Sequence, residues 1–133
     1  MKKYCLCFGV VCCLLIGCYS NPSEVNAITS IQELDEVIQE MDKVIVEISK
    51  DGCFYCMELK KVENKIKTDI PIYKYIIDEN TTDQDIEYLE MTFQPLKYIP
   101  AFYNMSSKEV RDYIVVSDWD NPIKEINNWI KNQ

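Results

Sequence analysis

The chain has 133 residues, enough for one domain with a proper core and short for two. Hydrophobic residues make up 47% and aromatics 11%, a globular composition, and the formal net charge of -8 argues against a nucleic-acid binder, which needs clustered Lys and Arg. The absence of histidine excludes Cys-His and Ser-His nucleophile pairs and any imidazole-ligated metal site.

A short basic stretch, Lys2-Lys3, precedes an apolar run of 13 residues, 5–17. That is the length of a signal h-region and short for a membrane span. The run ends in Leu15-Ile16-Gly17-Cys18, which resembles a bacterial lipobox, where the Cys is lipidated and becomes the first residue of the mature chain. The expected organisation is a lipoprotein signal peptide over 1–17, lipidated Cys18 with a tether over 18–27, and one domain over 28–133. The location this implies is extracytoplasmic, lipid-anchored to the bacterial cell membrane. An ordinary signal peptide or an uncleaved short anchor is the alternative. Cleavage before Cys18 would remove Cys5, Cys7, Cys12 and Cys13, four of the seven cysteines, and leave only Cys53 and Cys56 as free thiols.

Ser30 and Glu33 read as a capping box, followed by a helical stripe of Ile31, Leu34, Val37, Ile38 and Met41. Residues 44–49, VIVEIS, read as a buried strand of the parallel-sheet type, with Glu47 as its exception. A second helix is expected from Cys53 to about Lys67, with Pro71 forbidding continuation. Residues 72–77, IYKYII, form the next strand. Thr82 or Asp83 caps a third helix carrying Ile86, Leu89 and Phe93, which Pro95 stops. Residues 99–103 are a strand with Pro100 at its start, NMSSKE is a turn, and 110–116 return as the second strand of a hairpin. Asp120 or Asn121 caps a last helix with Pro122 in its first position and Ile123, Ile126 and Ile130 on one face. Residues 24–28 could add an edge strand. The order α-β-α-β-α-β-β-α indicates an α/β domain, a central mixed sheet with helices on both faces.

Cys53 and Cys56 stand at the junction of the buried strand and the second helix. A CxxC can be a redox pair, half of a metal site or a structural disulfide. A zinc site would need two more Cys or His ligands than the mature chain holds, so no metal is expected. A structural disulfide would close a very small loop, which constrains the unfolded chain least. For a redox pair the position is apt, because the unpaired N–H groups of a helix's first turn stabilise a thiolate. Cys53 would be the exposed nucleophile and Cys56 the thiol that resolves a mixed disulfide. Glu47 either reaches solvent at a strand edge or is a buried acid beneath the pair, able to accept and return the proton of Cys56 in place of an imidazole. Trp119 and Trp129 read as packing or surface aromatics, Lys60 and Lys61 as a solvated face, and Tyr55 as a partner contact or a plain exposed side chain.

Together, a strand leading into a CxxC helix, a carboxylate six residues before Cys53 and an Ile-Pro strand start 47 residues after it resemble the thioredoxin superfamily, over roughly residues 28–131. The resemblance implies a thioredoxin-like fold and a thiol–disulfide oxidoreductase. Cys53 matches the attacking cysteine, Cys56 the resolving one, Glu47 the buried acid, Pro100 the cis-proline facing the active site and Ile99 the residue whose backbone pairs with a substrate strand. Phe54 and Tyr55 occupy the variable dipeptide and join the substrate-binding residues. Gly52 stands where an aromatic is usual, and no Gly follows the last strand. A small lipid-anchored member also resembles the bacteriocin transport accessory proteins of Gram-positive bacteria. The implied partners are disulfide-containing exported proteins or peptides and a membrane redox protein that recycles the pair. No dissociable cofactor is called for. The competing expectation is a non-catalytic thioredoxin-fold lipoprotein that serves as a binding or accessory module.

Overall fold

The structure, a computed structural model, describes residues 24–133. The expected signal peptide and lipidated Cys18 lie outside the described residues. The elements in chain order are β1 (Val25–Ile28), α1 (Ile31–Glu40), β2 (Lys43–Lys50), α2 (Phe54–Lys60), a 3-10 turn (Glu63–Lys65), β3 (Ile72–Ile77), α3 (Asp83–Thr92), β4 (Ala101–Ser106), β5 (Glu109–Val115) and α4 (Pro122–Lys131). They build one five-stranded sheet in the order β1-β3-β2-β4-β5. β1, β3 and β2 run parallel, while β4 and β5 pair antiparallel, giving the mixed sheet expected from the element order.

Period-2 alternation along the strands divides the core in two. Val44, Val46 and Ile48 of β2 point to one face, where they meet Leu34 and Ile38 of α1 and Leu89 of α3, together with Phe93. Ile45 points to the other face, with Leu59 of α2, Ile72, Phe102 and Ile126 and Ile130 of α4. Glu47 and Ser49 share the parity of Ile45, so the same alternation sends them toward α2. Each of these fully buried aliphatic side chains stabilises the fold by about 2 kcal/mol.

Local capping chemistry starts the helices. The Ser30 hydroxyl accepts the Glu33 N–H at 3.1 Å, but the Glu33 carboxylate reaches one residue beyond the expected box, to the Thr29 N–H at 2.9 Å. Thr82 and Asp85 form the reciprocal box on α3. At α4, Asn121 occupies the cap position but makes no side-chain bond there, and Glu125 instead accepts the Ser117 and Asp118 N–H groups at 2.9 and 2.8 Å.

Four expectations are corrected. α2 stops at Lys60 instead of running to Lys67, and the chain tightens into the 3-10 turn, because Ile66 must turn into the core and the Lys67 N–H bonds Asn127 of α4 at 2.8 Å. The expected turn NMSSKE is mostly strand: Asn104, Met105 and Ser106 continue β4, and only Ser107 and Lys108 turn. That strand begins at Ala101, one residue after Pro100, and its partner begins at Glu109. The last residues assigned to the tether belong to the domain, since Val25–Ile28 pairs with β3 as the edge strand.

Candidate active site

The turn between β2 and α2 builds the mouth of the site. Asp51 Oδ1 accepts the Gly52 N–H at 3.0 Å, and Gly52 has φ +70. A Cβ there would meet nothing within 4 Å, so this position favours glycine for its left-handed backbone and not for lack of room. That accounts for the departure from an aromatic before the first cysteine. Cys53 then caps α2, its Sγ accepting the Cys56 N–H at 3.3 Å. The Cys53 Sγ also faces the Ile99 carbonyl oxygen at 4.0 Å. Cys53 is partly exposed and Cys56 is buried, and both thiols are free. Burial first, and then the bond to Cys53, pushes the Cys56 thiol up to about 11.

Beneath Cys56 lies a charged cluster in an otherwise apolar interior. Glu47 is 0% exposed, so the strand-edge alternative does not hold. Its Oε1 accepts the Ser49 hydroxyl at 2.7 Å and pairs with Lys74 Nζ at 3.2 Å, while Oε2 has no hydrogen-bond partner. Burial raises the Glu47 carboxyl above its usual range despite the lowering effect of Lys74 and Ser49. Lys74 Nζ lies 2.7 Å from Glu63 Oε2 of the 3-10 turn. Burial pulls the Lys74 ammonium down, but the two carboxylates outweigh it and hold the group charged.

Lys74 was not identified from the sequence. It is the single charge in IYKYII, as Glu47 is in VIVEIS, and the parallel register sets the two directly beside each other. Two lone opposite charges centred in two buried strands were the available signal. Trp119, expected as a packing or surface aromatic, packs at the site itself, its ring stacked on Tyr55 with centroids 4.4 Å apart. Tyr55 in turn meets Phe54 edge-on at 5.4 Å. Phe54 is 63% exposed and Tyr55 48%, and Met57 and Tyr98 also present their side chains to solvent, so Cys53 opens into an apolar surface.

Of the expected site residues, Cys53, Cys56 and Ile99 form one contiguous group with Glu47 behind them, and Ser49, which the sequence did not single out, bonds Glu47 and lines a cavity with Cys56. Pro100 is buried next to Ile99, and the Ile99–Pro100 bond is cis, as is Gln94–Pro95. Cys18 lies outside the described residues. Among the described residues no group of three or more Cys, Asp or Glu is arranged to hold a metal ion.

No protein-family model matches the chain, and no curated protein matches it in sequence. Solved structures do match. A thioredoxin variant from Halobacterium salinarum is 21% identical, with TM-score 0.58, covering 84% of this chain and 95% of its own. The oxidised thioredoxin of Plasmodium falciparum is also 21% identical, with TM-score 0.59, covering 80% and 99%. The thioredoxin of Trypanosoma brucei brucei is 14% identical, with TM-score 0.59, covering 87% and 99%. The chain has the thioredoxin fold.

Proposed function

We propose that this thioredoxin-fold protein is an extracytoplasmic thiol–disulfide oxidoreductase that exchanges disulfides with exported proteins or peptides. The observation that carries the reading is the stacking of chemistry at one strand–helix junction: a partly exposed Cys53, a buried Cys56 one turn inward, and a buried Glu47 behind it. In the reducing direction the Cys53 thiolate attacks a substrate disulfide, forming a mixed disulfide and releasing one substrate thiolate. Cys56 then attacks Cys53 Sγ, forming the Cys53–Cys56 bond and releasing the second substrate thiolate. Glu47 takes up the Cys56 proton. A dithiol protein at the membrane returns two electrons to the pair, and the oxidising direction runs the same steps backward. The basic stretch, apolar run and lipobox-like end at Cys18 support a lipid anchor, and the resemblance to bacteriocin transport accessory proteins offers one setting for such an enzyme.

The test is the reduction potential of the Cys53/Cys56 pair, measured by equilibrating the protein in thiol–disulfide buffers and counting alkylated cysteines. A value near about -270 mV identifies a reductase and one near about -120 mV an oxidant. A pair that stays oxidised across the whole buffer range overturns the enzyme reading and leaves a binding scaffold with an inert bond.

A further inference from the structure

Cys56 is the thiol whose proton must leave during resolution, yet Glu47 makes no direct hydrogen bond to it. The group between them is Ser49. Its hydroxyl donates to Glu47 Oε1 at 2.7 Å, and its side chain lines the same small cavity as Cys56, where it weakens the thiol's hold on its proton. The strand alternation that faces Glu47 toward α2 faces Ser49 the same way, two residues closer to the cysteines. Ser49, Cys56 and Lys74 line one cavity of about 100 Å³, with Lys50, Asp51 and Lys60 among its walls. A hydroxyl has one proton to give and lone pairs to accept another, so it can pass a proton without changing its own charge.

We propose that Ser49 is the proton bridge of the resolving step, linking the Cys56 thiol to the Glu47 carboxylate; this rests on the oxidoreductase reading above. The Cys56 proton moves to Ser49 Oγ as the Ser49 proton moves to Glu47 Oε1. Cys56 is left as the thiolate, Ser49 is again a hydroxyl and Glu47 is a neutral acid. The thiolate attacks Cys53 Sγ, the Cys53–Cys56 bond forms, and the bond from Cys53 to the substrate sulfur breaks. That sulfur leaves with the electron pair and takes a proton from solvent. The substrate disulfide has gained two electrons and the pair has lost two. Of the charged groups around the bridge, Lys74 of β3 pairs with Glu47 at 3.2 Å, and Glu63 of the 3-10 turn pairs with Lys74 at 2.7 Å.

The experiment uses the full-length reduced protein with oxidised glutathione as the disulfide. The glutathione adduct on Cys53 decays when Cys56 attacks, and mass spectrometry after acid quench gives its lifetime. Ser49→Ala is expected to lengthen that lifetime about 100-fold at pH 7, the lower end of what a positioned proton acceptor contributes. The difference shrinks as pH rises into the alkaline range, where hydroxide ionises Cys56 directly. Ser49→Thr, which keeps a hydroxyl, restores most of the rate. A ratio of wild type to Ser49→Ala that stays constant across pH, or a ratio near one, overturns the bridge, as does a folded Ser49→Thr protein as slow as Ser49→Ala. If wild type itself never resolves the adduct, the oxidoreductase reading fails first, and the bridge goes with it.

Discussion

Replacing Lys74 by Met isolates the energetics of the buried charge cluster. The Met side chain fills the stem of the Lys but removes the ammonium that lies 3.2 Å from Glu47 and 2.7 Å from Glu63. Glu63 keeps 18% of its side-chain surface and can turn to water, whereas Glu47 has no surface at all. Removing one partner of a buried pair costs about 3–5 kcal/mol when the remaining charge has no escape. Glu47 has one, because it can take up a proton. The ceiling on its contribution is therefore the work of protonating an ordinary carboxyl, whose value is 4.5, at the ambient pH. At pH 7 that work is about 3 kcal/mol, at about 1.4 kcal/mol per pH unit, and at pH 5 it is below about 1 kcal/mol. Urea unfolding of wild type and Lys74→Met at both pH values checks this. The expected loss is up to about 3 kcal/mol at pH 7 and most of it disappears at pH 5. A loss of the same size at both pH values would show that Lys74 acts through packing and would refute the ion-pair account.

Glu47→Gln tests the raised carboxyl from the other side. The native state holds the Glu47 proton more tightly than the unfolded chain, so stability is fully present below about 4.5 and is lost as pH rises from there through the folded value. Wild type minus Glu47→Gln, measured by thermal unfolding between pH 4 and 8, should fall with pH; a flat difference rules out a raised carboxyl. In the hairpin, Ser107 and Lys108 both sit at positive φ, 53 and 67, where a non-glycine residue costs about 1 kcal/mol. Lys108→Gly should therefore raise stability by up to about 1 kcal/mol in urea, and a destabilised protein would mean the Lys side chain holds the turn.

Strand parity, helix stripes and the strand–CxxC–helix junction were legible along the chain because each depends on neighbours within about one turn or one pleat. Ser30 and Thr82 announce their capping roles in this way. The hairpin was misplaced because nothing local distinguishes Asn104 and Met105 in a strand from the same residues in a turn; their pairing with β2 and β5 decides it. The helix end at Lys60 was misplaced for a similar reason, since Ile66 and the Lys67 N–H find partners in the core and on α4, 60 residues away in the chain.

What the sequence determined by itself is the alternation of strands and helices, the pair of thiols at one junction and a carboxylate six residues before them. What only the tertiary structure decided is what that carboxylate meets. Parallel register puts Lys74 beside Glu47, the 3-10 turn brings Glu63 to Lys74, and the packing of α2 on β2 brings Ser49 to Cys56. The physical reason is range: capping and periodicity are settled by bonds within a segment, while the protonation of a buried group is settled by whatever charge the fold sets within a few ångströms.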